Sequence, residues 1–166
     1  MDTMPLSFVI FGAIPEALLM MYFGLTIIGI KPKPIKVTIA AILQGIAIFF
    51  IRKYASFGPH VIIASLSLCI ITWLIVRVTP MQAFIASILS LVVNVLIEGP
   101  YSLAVQGITG LTYVEILSRE WLRVVYFIPK LLIQASLIIF CVKFHFTIEE
   151  ELNILKRLGN QFNQKL

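Results

Sequence analysis

The chain has 166 residues, 60% of them apolar and only 13% charged, with a mean hydropathy of +1.01, whereas soluble domains carry roughly 25% charge. That composition excludes a soluble globular domain and leaves room for five or six membrane spans of about 20 residues each. The formal charge of +5 does not mark a nucleic-acid surface, because the lysines and arginines sit at the ends of apolar runs rather than in one patch.

The expected architecture is an all-α, polytopic transmembrane bundle over residues 1–146 with a cytoplasmic tail at 147–166. Met1 is followed by Asp2 rather than a basic stretch, so the first apolar run reads as a retained span and not a signal peptide. That span, at about 6–30, carries Pro15 and Glu16 side by side, and Ala13 and Ala17 at the small-xxx-small spacing that lets helices approach closely. "KPKPIK" ends it: Pro32 and Pro34 prevent helix continuation, and three lysines mark a cytoplasmic loop. Further spans are expected at about 36–53, 60–78 and 81–98, separated by "RKYASFGPH" and "RVTP". These short connections make neighbouring spans antiparallel hairpins.

Residues 98–121, "EGPYSLAVQGITGLTYVEILSREW", contain Gly99, Pro100, Gly107 and Gly110 together with Glu98, Glu115 and Glu120. They read as an outer loop with a short interfacial or re-entrant helix, which bilayer physics tolerates only where protein covers the backbone. A sixth span there would put the tail on the other side. A last span is expected at about 121–143. With the N-terminus outside, eight lysines and arginines fall on the inner side and four on the outer, so the positive-inside rule favours five spans and a cytoplasmic C-terminus.

After Lys143, Thr147 and Glu150 have the spacing of a capping box. Ile148, Leu152, Leu155 and Phe162 then fall on one helical seam, which suits a coiled coil, a homo-oligomer or a signalling partner, or else a surface helix under the bilayer.

The residues that cost most in lipid are Glu16 and Lys130, followed by the amides Gln44, Asn94 and Gln134, and intramembrane ionisable groups are functional candidates by default. Glu16 and Lys130 lie at similar depths in the first and last spans, so a buried ion pair between them accounts for both charges. Pro15 and Pro129 free the carbonyls of Phe11 and Val125 beside that pair. The alternative is a protonated Glu16 bonded to Gln44 or Asn94. The amides are otherwise helix-to-helix bonds worth about a kcal/mol or less.

No catalytic residue, metal site or cofactor is expected. Cys69 and Cys141 lie inside apolar runs and behave as small hydrophobes. His60 and Cys69 are nine residues apart on one helix, about 13 Å, too far to form a thiolate–imidazole pair. Serine, zinc and paired-glutamate protease motifs are lacking.

"AIPEALL", "IRKYASFGPH" and "RVVYFIPKLLIQ" resemble the multi-span N-terminal sensory region of Gram-positive sensor histidine kinases of the peptide-pheromone type. The resemblance implies a non-enzymatic sensory or regulatory module of the bacterial cytoplasmic membrane, passing a signal through its helices to a tail or partner. The glycine boxes of the kinase domain do not follow. The alternative is a small-molecule-binding membrane subunit of an uptake transporter.

Overall fold

The computed structural model describes residues 5–54 and 59–144. Expectations about the tail, including Ile148, Leu152, Leu155 and Phe162, lie outside the described residues. Those that are described form helices joined by short turns, with no strand among them. We label the helices α1 (Leu6–Ile27), α2 (Pro34–Tyr54), α3 (Pro59–Ile71, running on through Thr72–Val76), α4 (Pro80–Thr109), α5 (Tyr113–Ser118) and α6 (Glu120–Lys143).

Four of them, α1, α2, α4 and α6, are long and apolar enough to cross a membrane. The third expected span is apolar over His60–Val76 but shorter than these, roughly 26 Å at 1.5 Å per residue. The outward faces carry Ile62, Leu74, Leu96, Leu103 and Leu132, all more than half exposed, as lipid-facing surfaces require.

Helix boundaries follow local chemistry. α1 contains a π-helical segment at Val9–Ala13, closed by the Ile14 amide donating to the Val9 carbonyl. This wide turn lies immediately before Pro15, whose ring would otherwise meet the Phe11 carbonyl. The last turn of α1 ends at Gly29, whose φ of 80° is the left-handed conformation that glycine adopts without a Cβ penalty. α3 closes on Arg77 at φ 63°, with its amide donating to the Trp73 carbonyl at 3.1 Å. Lys36, from the start of α2, donates to the Val76 carbonyl at 3.4 Å, a cation on a helix C-terminus. α4 then opens with a full capping box between Thr79 and Gln82 and with Pro80 at its first position.

One boundary differs from the sequence reading. Helix was expected to stop near Glu98, before Gly99 and Pro100, yet α4 runs through Pro100 to Thr109 and caps on Gly110 at φ 69°. Proline removes a single helical bond, and here it does so where Leu96, the residue whose carbonyl loses its donor, is 66% exposed and neighbouring backbone can adjust. A short helix does follow, α5, capped by Thr112 and Glu115.

α1 is the centre of the bundle, packing against α2, α4 and α6, while α3 bridges α2 and α4. Close approach is set by small residues. Ala13 and Ala17 are buried. A Cβ on Gly24 would run into the Ala86 carbonyl and the Ser90 hydroxyl, and Ser90 donates to the Met20 carbonyl at 2.6 Å. One apolar cluster (Met21, Leu25, Val37, Ala40, Leu68, Val76, Ala86) fills the half of the bundle near the Lys31–Lys36 and Arg77 turns. A second (Phe8, Val9, Ala13, Ile116, Tyr126, Phe127) fills the opposite end around α6.

Candidate functional site

The buried face of α6 reads Arg123, Phe127, Lys130 and Gln134, spaced by three or four residues, and Cys141 seven residues on, which keeps one stripe turned inward. Lys130 is completely buried, and its ammonium donates to Glu16 Oε1 of α1 at 2.6 Å and to Glu98 Oε2 of α4 at 2.8 Å. The same ammonium lies 4.9 Å from the centroid of the Phe127 ring. A charge this deep is tolerable only when paired and hydrogen-bonded, and the two short carboxylate contacts meet that condition. The expected Glu16–Lys130 pair is therefore present. Glu16 bonds neither Gln44 nor Asn94: Gln44 bonds Ala64 and Ser67, and Asn94 Oδ1 accepts from Gln134.

Gln44 is buried in α2 and ties it to α3: its amide donates to the Ala64 carbonyl at 3.0 Å, and its oxygen accepts from the Ser67 hydroxyl at 3.1 Å. Gln134 donates to Asn94 Oδ1 at 2.9 Å, joining α6 to α4 one turn from Lys130. The five polar residues picked out in the sequence thus divide into an ion-pair centre, a cross-link between α4 and α6, and a cross-link between α2 and α3.

Four contributors escaped the sequence reading. Glu98 was placed in a loop, because Gly99 and Pro100 follow it directly; the unbroken helix instead aims it at Lys130. Tyr113, on α5, donates its hydroxyl to Glu98 Oε1 at 3.1 Å. Burial and the Glu98 charge push that phenol well above its ordinary range, with Arg52 opposing the shift, so Tyr113 is a fixed hydrogen-bond donor. Tyr101 donates to the Tyr126 carbonyl at 2.6 Å. Arg123, at the outer end of the last span, is buried with its guanidinium 5.2 Å from the Phe8 ring centroid. Aromatic residues flanking a charged stripe were the available signal for this group.

Beside the triad lies a partly open cavity of about 840 Å³, within the size range of small-molecule sites. Its lining from α3 is residues 60–68 and from α4 residues 91–98, the halves of those helices farthest from the Arg77–Thr79 turn. α3 and α4 pack through Leu68, Val76 and Ala86 near that turn and leave the space open beyond it. Glu16, Gln44, Asn94, Glu98 and Tyr113 reach the lining, as do Arg52, Lys53 and His60. Lys130 does not. Its side chain is fully covered, whereas those of Glu16 and Glu98 are 18% and 29% exposed. The cavity therefore meets the carboxylates, and the lysine stands behind them. Among the described residues no group of three or more His, Cys, Asp or Glu is placed to hold a metal ion.

Comparison with known proteins returns no match to a family model, to a characterised protein or to a solved structure. What is established, among the described residues, is an all-helical fold with four helices able to cross a membrane and a cavity bordered by a carboxylate–ammonium–carboxylate centre.

Proposed function

We propose that the chain is a non-enzymatic, membrane-embedded sensory or regulatory module that receives a small molecule in this cavity and relays its presence through α6 to the C-terminal segment or a partner. One observation carries the reading: the cavity floor is the point where α1, α4 and α6 are joined by Glu16, Glu98 and Lys130. A ligand touching either carboxylate competes with Lys130 for it. Occupancy then acts on α6, the helix that leads directly into the C-terminal residues. A ligand shifts such an equilibrium only by its differential affinity for the two arrangements, and a bond to a carboxylate that α6 also needs supplies one. In this reading the N-terminus and the cavity mouth face outward and the tail is cytoplasmic, as the lysine and arginine distribution favours.

The cavity by itself also suits a substrate-binding subunit of an uptake system. Purification in mild detergent separates the two. Recovery with a signalling enzyme whose output changes when Ala64→Trp fills the cavity is the expected outcome. Recovery with an ATP-hydrolysing transport complex would replace the sensory reading with the uptake one.

A further inference from the structure

The two ends of the cavity differ in sign, and their separation can be worked out from helix register. At the floor, two carboxylates share one ammonium, which leaves a surplus of one negative charge on the side facing the cavity. Glu16 bonds Lys130 through Oε1, and among the described residues its Oε2 has no hydrogen-bond partner. The Asn94 side chain borders the same space. At the mouth, Arg52 and Lys53 end α2, and Lys53 lies 5.7 Å from the centroid of the Tyr54 ring. Toward the mouth the apolar walls are Ile48, Ile51 and Leu117.

α1 and α2 are antiparallel, and a Cβ on Gly45 would stand 3.6 Å from the Ile14 Cα, so these two positions are level. Arg52 lies seven residues beyond Gly45 toward the mouth, and Glu16 two residues beyond Ile14 toward the floor. At 1.5 Å per residue the Cα levels of Arg52 and Glu16 are about 13 Å apart. A simple cation entering this space must pass Arg52 and Lys53 to reach its counter-charge. A simple anion satisfies the mouth but brings nothing to the carboxylates.

We infer that the cavity takes a bipolar amphiphile: a linear apolar body with an ammonium group on the Glu16 and Glu98 carboxylates and an anionic group at Arg52 and Lys53, the Cα of Arg52 lying about 13 Å farther out than that of Glu16. This names the ligand class for the module proposed above and rests on that reading.

The test uses the full chain in lipid nanodiscs, with Cys69→Ala and Cys141→Ala removing the native thiols. Ser65→Cys then places a single thiol on the cavity wall, and Ile62→Cys, at a position 65% exposed on the outer face, serves as the lipid-side control. The probe is ω-aminoundecanoic acid, whose two ends are about 13 Å apart at roughly 1.2 Å per bond. It should slow maleimide labelling of Ser65→Cys, and not of Ile62→Cys, at concentrations about 10-fold or more below those needed for undecylamine, undecanoic acid or ω-aminohexanoic acid, since each charge-assisted contact is worth at least about that factor. Arg52→Gln, at a helix end outside the packed core, should abolish the advantage over undecylamine.

Equal protection by undecylamine, or advantage retained in Arg52→Gln, overturns the bipolar assignment while leaving a ligand-receiving cavity in place. Protection of Ile62→Cys to the same extent overturns it as membrane partitioning. Failure of every probe to protect Ser65→Cys also overturns it. The broader reading falls as well only if Ala64→Trp leaves the partner's output unchanged.

Discussion

The triad makes a sharper prediction than a simple pair would. Because Glu16 and Glu98 both bond one Lys130 nitrogen, at 2.6 and 2.8 Å, their bonded oxygens lie within about 5 Å of each other. At an effective dielectric constant near 20, two unit charges at that separation repel by roughly 3 kcal/mol. Lys130→Met removes the group that offsets this repulsion and leaves two part-buried carboxylates, so it should destabilise the fold by about 3 to 5 kcal/mol. Glu98→Gln preserves the shape and one acceptor oxygen, which serves Lys130 or Tyr113 but not both in their present places, and should cost less, about 1 to 2 kcal/mol. The charge swap discriminates further. Exchanging Glu16→Lys with Lys130→Glu restores an ion pair between α1 and α6 but sets the new carboxylate against Glu98, so the double variant should recover only part of the lost stability. Adding Glu98→Gln to the swap should recover most of the remainder. Equilibrium unfolding in mixed micelles, followed by helical circular dichroism, measures all four variants. A Lys130→Met protein within about 0.5 kcal/mol of the parent would refute the reasoning, as would full recovery by the double swap with Glu98 intact.

Two further outcomes follow from geometry elsewhere in the bundle. Gly24→Ala should destabilise by about 1 to 3 kcal/mol in the same assay, because its methyl group meets the Ala86 backbone, whereas Gly107→Ala, with nothing within 4 Å of the new Cβ, should be neutral or stabilise by up to about 1 kcal/mol. Glu115 accepts bonds from the Thr112 hydroxyl and amide at 2.6 and 2.8 Å, which hold its carboxyl below the ordinary value of 4.5. Since the folded pKa is the lower one, the cap's contribution is complete above that ordinary value and fades as pH falls through the lowered one. Amide exchange across Tyr113–Ser118 should therefore be faster in Glu115→Gln than in the parent at neutral pH, and the difference should vanish in acid.

Much of this architecture could be read from composition and punctuation alone. The apolar runs placed four helices where they lie, and the cost of charge in lipid singled out Glu16 and Lys130, which do meet. Glu98 was hidden because a Gly-Pro dipeptide is a strong local signal for an ending. An apolar helix in lipid, however, has no water to satisfy its backbone if it stops, so α4 loses one bond at Pro100 and continues. The amides were found as costly groups, but which amide bonds which helix depends on rotation about helix axes, a tertiary quantity. The cavity was invisible for the same reason: it arises from α3 and α4 parting beyond Leu68, and no single segment encodes that divergence.

The π turn in α1 has a bearing on chain length. Such a turn is an ordinary helical turn holding one extra residue, so the segments on either side keep the facing they would have without it. Anywhere else in α1, removing one residue would rotate everything before it by about 100°, taking Phe8 away from its edge contact with Phe127 at 4.5 Å or Glu16 away from Lys130. Within Val9–Ala13 the removal of Phe11, whose side chain is 58% exposed, would close an ordinary turn and leave both contacts in register. The remaining conflict would be between the Pro15 ring and the carbonyl then four residues before it, and Pro15→Ala would relieve it. This five-residue stretch is thus the place in the first helix where a one-residue deletion can be absorbed, and proline at position 15 is what favours keeping the extra residue.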